Sequence, residues 1–144
     1  MVGTCYLNGN GIFKDENKSF EWYLKAAKNG HNYSQTKVAE YYNDGKIVQK
    51  NEEKWIYWIR KAAINGNISA QYKLAEYYLN NFTNENGKKA FKWYLKLSSG
   101  SNIFGKRTKA YYQLAKCYKD GIGTDKNLDK AEKWLNNIII NQFL

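Results

Sequence analysis

At 144 residues the chain is long enough for about one domain, and 43% hydrophobic with 17% aromatic residues is more core-forming material than a disordered polymer carries. The total absence of proline suits an all-helical chain. Two cysteines, Cys5 and Cys117, are too few for a disulfide framework and read as thiols in a reducing compartment. No basic segment leads into an apolar run at the N-terminus, and no stretch approaches the ~20 apolar residues that span a bilayer. The expectation is therefore a soluble, cytoplasmic protein without membrane contact.

The net charge of +10 is uneven: residues 1–84 carry 11 Lys/Arg against 8 Asp/Glu, residues 85–144 carry 12 against 5. Any acidic partner is expected at the C-terminal part.

Taken in order, the chain repeats itself. Tyr6, Tyr42, Tyr78 and Tyr118 recur at 36, 36 and 40 residues, and Trp22, Trp58, Trp93 and Trp134 at 36, 35 and 41. Three residues after each Tyr stands Gly9, Gly45, Asn81 or Gly121; four before each Trp stands Lys18, Lys54, Lys89 or Lys130. A period of this length denotes stacked helix pairs, because one pair alone cannot bury its apolar face. The spacing predicts one domain over 1–144: a partial first repeat over 1–33, a second over 34–68, a third over 69–108 and a fourth over 109–144. The third is expected to end in a lengthened loop, Ser101–Lys109, marked by Gly100 and Gly105.

Each copy divides into two helical patterns. In the second, Ser34–Asn43 carries Val38, Ala39 and Tyr42 on one face; Leu74, Ala75, Tyr78 and Leu114, Ala115, Tyr118 repeat the stripe. The small residue of each set (Gly3, Ala39, Ala75, Ala115) suits a close helix crossing. Asp15, Asn51, Asn86 and Asn127 are the expected N-caps of the second helices, with Gly30 and Gly66 closing two of them in the left-handed conformation. The recurring Tyr and Trp are expected in the core. The third loop, without glycine until Gly87, is expected to be irregular.

The order small residue, Tyr, Gly, then Lys, Trp, Ala-Ala and Gly at a 36-residue period resembles the Sel-one-like repeat (SLR) family, a longer-period relative of the tetratricopeptide repeat. LAKCYKDGIGTDKNLDKAEKW in the fourth copy and WIRKAAINGN in the second carry the likeness. It implies an all-α, right-handed α-solenoid of antiparallel helix pairs acting as a protein–protein interaction scaffold or adaptor, often in signalling, with no chemistry and no cofactor of its own. The missing capping helix suggests a piece of a longer repeat protein.

Convergent chemistry is absent from the pattern. His31 is the only histidine and reads as part of a helix cap; no catalytic triad, Cys/His metal spacing or phosphate loop is found. Gly9-Asn10-Gly11 and Gly121-Ile122-Gly123 follow helices and recur with the repeat, so they read as turns. In tetratricopeptide-like arrays the inner surface comes from first-helix residues flanking the packing stripe. Those offsets give Tyr33, Thr36, Glu40 and Asn43, then Ser69, Tyr72, Glu76 and Leu79, then Lys109, Tyr112, Lys116 and Lys119, running from mildly acidic to strongly basic. A protein or peptide partner, acidic where it meets the C-terminal half, is the expectation. The alternatives are a regulatory appendage of a larger signalling protein, of the kinase or chitin-synthase-activator type, and RNA binding by a basic helical array, the less favoured of the two. Ile138, Ile139, Ile140, Phe143 and Leu144 are a candidate homodimer contact.

Overall fold

The computed structural model describes residues 1–9, 15–100 and 104–142. Among them there are eight helices and no strand: α1 (Val2–Asn8), α2 (Glu16–Lys28), α3 (Asn32–Asp44), α4 (Glu52–Ile64), α5 (Ile68–Asn80), α6 (Asn84–Ser99), α7 (Phe104–Asp120) and α8 (Leu128–Gln142). The chain forms two compact units, residues 1–71 and 72–144.

In the first unit the helices begin and end where short polar residues and glycine dictate. The Asp15 and Asn51 carboxylate and amide oxygens accept from the Lys18 and Lys54 amides at 3.0 and 2.8 Å, satisfying first-turn N–H groups that no helical carbonyl can reach. His31 caps α3 in the same way, its Nδ1 accepting from the Ser34 amide at 3.2 Å; Asn67 does so for α5 from Ala70 at 2.9 Å. At the other end, Gly30 (φ 88°) and Gly66 (φ 90°) are left-handed. The His31 and Asn67 amides reach back to the Ala26 and Ala62 carbonyls, and the Gly30 and Gly66 amides to Ala27 and Ala63. This paired 6→1 and 5→2 closure is the Schellman motif. Each Ala27 and Ala63 carbonyl receives a second donor, the buried side-chain amide of Gln35 (3.1 Å) or Gln71 (3.0 Å). Glutamine therefore ties the end of one helix to the face of the next, and its 36-residue recurrence is part of the repeat.

The core stripe lies one residue further along than the tryptophans suggest. Tyr23, Ile59 and Tyr94, each directly after a repeat Trp, are fully buried. Of the tryptophans only Trp58 is buried; Trp22 is 40% exposed, and Trp93 and Trp134 are half-buried. An indole is too large for the closest helix crossing, so it takes the shoulder of the interface, where lysine stems cover it. Lys25 lies over Trp22 and Lys96 over Trp93 at 5.2 and 5.1 Å from the ring, so both contacts combine an apolar stem with a cation–π interaction.

The second unit departs from the first at its third loop. Seven residues, 45–51, join α3 to α4; only Asn81, Phe82 and Thr83 join α5 to α6. Helix α6 starts one turn early and is capped by the Thr83 hydroxyl, which accepts from the Asn86 amide at 3.0 Å. The cap expected at Asn86 is thus overturned: Asn86 lies inside the first turn. No left-handed residue is needed at Asn81, and Gly87 belongs to the helix. There it meets the next loop closely, since a Cβ on Gly123 (φ 69°) would stand 2.2 Å from the Gly87 carbonyl oxygen. The Asn127 cap holds as expected, at 2.8 Å from the Lys130 amide. Helix α7 begins at Phe104, so residues 104–109, read from the sequence as loop, are helical; residues 101–103 lie outside the described residues, as do Asn10 and Gly11.

Candidate interaction surfaces

Each repeat Lys sits on the Tyr of its own repeat. Lys18 lies over Tyr6, Lys54 over Tyr42, Lys89 over Tyr78 and Lys130 over Tyr118, at 5.6, 5.1, 5.7 and 5.4 Å from the ring centroids. Between them the Asp15, Asn51 and Asn127 amides donate to the Tyr6, Tyr42 and Tyr118 carbonyls at 2.9, 3.0 and 2.8 Å. The recurring Lys and Tyr therefore close the loop of each pair and are engaged with one another.

The first unit places Tyr33, Glu40 and Asn43 where solvent reaches them, but Thr36 is buried with its hydroxyl donating to the Asn32 carbonyl at 3.1 Å. Glu40 is engaged within its own helix by Lys37, 2.8 Å away, and this hydrogen bond holds the Lys37 ammonium above the ordinary lysine value. Lys37 also lies over the Tyr33 ring. A cleft of about 220 Å³ is bordered by Leu7, Glu16, Glu40, Asp44 and Ile47, with Lys37 and Lys46 as its cations. The buried Tyr23 hydroxyl is satisfied by Thr4 Oγ1 at 3.0 Å. Ser69 is exposed at the start of α5.

The second unit contributes Glu76, Leu79, Lys109, Tyr112, Lys116 and Lys119. Tyr72 is buried, its ring covered by Lys109 at 5.7 Å; like Thr36, it cannot be a surface contact, because its offset turns it towards the neighbouring helix. Lys109 forms an ion pair with Glu76. Lys116 and Lys119 are exposed and make no ion pair among the described residues; Tyr112 is 57% exposed. On one side of Lys116 opens a cleft of about 730 Å³. Helix α5 supplies Glu76, Leu79 and Asn80, α6 supplies Tyr94, and α7 supplies Gln113, Lys116 and Cys117; Phe82 and Ile122 close it from the two loops. Tyr94, at the position equivalent to Tyr23, is fully buried and its hydroxyl has no hydrogen-bond partner among the described residues. Its pKa is raised, first by burial and then by the negative charge of Glu76, and burial pushes the Cys117 thiol up to about 11.

Offsets from first helices bring together Glu76, Leu79 and Lys116 at this cleft. They miss Tyr94, Phe82, Gln113, Cys117 and Ile122, which come from the second helix, the facing stripe and the loops. The one sequence signal for Tyr94 is that tyrosine follows the repeat Trp in both Trp22-Tyr23 and Trp93-Tyr94.

At the end of the second unit, Leu135, Ile139 and Ile140 are exposed and Ile138 is half-buried. Phe143 and Leu144 lie outside the described residues.

Four consecutive matches to the family model for the Sel1 repeat cover residues 1–31, 32–67, 68–102 and 108–136. The chain belongs to the Sel1 repeat family. A Sel1 repeat protein from Oxalobacter formigenes is similar in structure with a TM-score of 0.78 and 28% identity, over 92% of this chain and 53% of that one. The protein c5321, a protective antigen present in uropathogenic Escherichia coli strains and displaying an SLR fold, is similar with a TM-score of 0.72 and 29% identity, over 95% of this chain and 28% of that one. This chain thus spans about half the length of the first and under a third of the second. The fold class is the all-helical solenoid of Sel1 repeats. A comparison with curated proteins gives no significant match.

Among the described residues no group of three or more His, Cys, Asp and Glu side chains is placed to hold a metal ion, and no helix is long and apolar enough to cross a membrane.

Proposed function

We propose that this Sel1 repeat chain is a non-catalytic protein-interaction scaffold whose contact surface lies on first-helix residues of the second unit, around Lys109, Tyr112, Lys116 and Lys119. Sel1 repeats are in general protein-interaction modules, and that supports the class of function. The observation that carries the face is the contrast in charge use: Glu40 is engaged by Lys37 within one helix, whereas Lys116 and Lys119 stand exposed without an ion pair among the described residues. The unit over residues 72–144 carries 13 Lys/Arg against 6 Asp/Glu, and that over residues 1–71 carries 10 against 7. An acidic partner is favoured by that field. Tyr33, Glu40, Asn43 and Ser69 are the corresponding positions of the first unit. Two cysteines without a disulfide support a cytoplasmic setting.

The test is capture of a partner from lysate, its purification, and titration against the chain with Lys109, Lys116 and Lys119 changed to Glu. Binding is lost while helicity by circular dichroism is unchanged; unchanged affinity rejects this face. RNA binding draws on the same basic charge, but the four Lys–Tyr pairs occupy ring faces on which bases would stack. A regulatory appendage of a larger signalling protein is compatible with the scaffold reading. Self-association through Ile139 and Ile140 is a separate proposal, and light scattering that shows only monomer at high concentration rejects it.

A further inference from the structure

Three repeat positions that are buried earlier in the chain lie open in the fourth repeat. Tyr23, Ile59 and Tyr94 are fully buried, whereas their equivalent Leu135 is 43% exposed. Ala27 and Ala63 are buried, whereas Ile139 is 55% exposed; Thr36 and Tyr72 are buried, whereas Tyr112 is 57% exposed. For Tyr23 and Tyr94 the cover is the first helix of the following repeat, since α3 packs on α2 and α7 on α6. Ile140 behaves differently: its equivalent Ile64 is exposed within the array as well, so that position belongs to the outer surface. Tyr112, Leu135 and Ile139 form a stacking face on which, among the described residues, no further helix lies.

The contact between the third and fourth repeats shows what such a face takes. There Lys109 of α7 covers the Tyr72 ring at 5.7 Å and forms an ion pair with Glu76. One repeat on, Tyr112 stands at the position of Tyr72 and Lys116 at that of Glu76, so the charge is reversed. A residue lying over Tyr112 and meeting Lys116 would therefore be acidic where Lys109 is basic. Lys119, at the position of Leu79, adds a second positive charge. Between α7 and α8 runs a cleft of about 220 Å³, with Ala115, Ala131 and Leu135 as its apolar lining and Asp120 as its one carboxylate against the two lysines. Both alanines are buried, and small residues at a crossing let another helix approach closely.

We propose that this face of α7 and α8 binds an amphipathic helix of a partner protein, seated as the first helix of a following repeat would be. Its apolar side chains lie against Tyr112, Leu135 and Ile139, and Glu or Asp in its first turn pairs with Lys116 and Lys119. The proposal rests on the protein-interaction reading and names the partner's element and charge. In α3 and α5 the position equivalent to Lys109 falls in the first turn, at Tyr33 and Ser69. A carboxylate there also suits the positive end of the helix dipole, so one acidic residue stabilises the incoming helix and pairs with the lysines at the same time.

The experiment uses the full chain and two fluorescein-labelled, stapled amphipathic helices of about four turns, identical except for Glu-Glu or Lys-Lys in the first turn. Affinity is read by fluorescence polarisation and the site by amide shifts in NMR spectra. Expected are shifts centred on Tyr112, Lys116, Leu135 and Ile139, and binding about tenfold weaker for the Lys-Lys helix, the scale of two exposed charge contacts. Lys116→Glu combined with Lys119→Glu reverses the order of the two helices, which a damaged fold could not do. Leu135→Asp weakens both. Equal affinity for the two helices, an unchanged order in the double lysine variant, or shifts centred elsewhere overturns the proposal. So does a dimer in sedimentation that Leu135→Asp dissolves and a saturating Glu-Glu helix leaves intact, since a second copy is then the occupant. A purified protein partner that binds the Leu135→Asp chain at parental affinity but not the triple lysine variant sinks the helix site and leaves the scaffold standing. A partner indifferent to both sinks the two together.

Discussion

The two units are built on one repeat, and they differ in how completely its polar groups are used. In residues 1–71 the Tyr23 hydroxyl has Thr4, Glu40 has Lys37, and the Ala27 and Ala63 carbonyls have Gln35 and Gln71. In residues 72–144 a shortened loop brings α6 forward by a turn, Glu76 is engaged by a lysine from another helix, and the Tyr94 hydroxyl is buried without a hydrogen-bond partner among the described residues. In the first unit these buried and half-buried polar groups find partners within the unit. The second leaves a buried hydroxyl without a partner among the described residues, and it carries the larger excess of positive charge.

The contrast can be broken most severely at Gly123. Its left-handed φ, and a carbonyl 2.2 Å from where a Cβ would stand, make Gly123→Ala cost about 3 kcal/mol from backbone strain and overpacking together. Gly66→Ala has the same kind of φ but nothing within 4 Å, so it costs about 1 kcal/mol. Urea unfolding of the two variants measures the difference; equal losses would show that the α6 contact contributes nothing.

Next comes an alkaline effect at Cys117 of the second unit. The Cys117 thiol ionises at about 11 in the folded chain against a reference of 9.0, because burial disfavours the thiolate. A pKa raised on folding adds stability that is full below about pH 9 and is lost as the pH climbs towards 11. The melting temperature should therefore fall across that window, with a shallower fall in Cys117→Ala. Below pH 9 Cys117 should also react with a thiol reagent far more slowly than the half-buried Cys5.

A reversal of sign is expected at the paired tyrosines. Tyr23→Phe strands the Thr4 hydroxyl and costs about 1 kcal/mol, whereas Tyr94→Phe removes an unsatisfied group and is neutral or stabilising. Thermal melts of the two variants decide it, and a comparable loss in both would mean that Tyr94 is satisfied in solution. The smallest effect belongs to the loop clamps: Lys54→Met or Lys130→Met should cost about 0.5 kcal/mol each, the scale of an exposed cation–π contact, and similarly in both units.

Most of the architecture was legible in the sequence, since local rules made it. Asp15, Asn51 and Asn127 cap helices because a short oxygen-bearing side chain at that position can reach a first-turn amide wherever the helix packs. Gly30 and Gly66 end helices because no other residue takes a positive φ cheaply. Where the sequence misled, a competing local solution won. Thr83 displaced Asn86 as a cap once the loop had lost its glycine, and residues 104–109 joined α7 despite Gly105. Thr36 and Tyr72 were read as surface but are buried, because a helix offset borrowed from another repeat carries an angular error large enough to turn a side chain from rim to core.

By itself, then, the chain determined the period, the helix ends, the family and the uneven charge, all properties of residues near each other in sequence. Which aromatic fills the core, Tyr23 and Tyr94 rather than the neighbouring tryptophans, was decided by how closely the helices cross. The tertiary structure alone decided that Lys109 would engage Glu76, 33 residues away, and that the Tyr94 hydroxyl would be left without a partner among the described residues. Both depend on distances between helices, which the repeating pattern of the sequence does not specify.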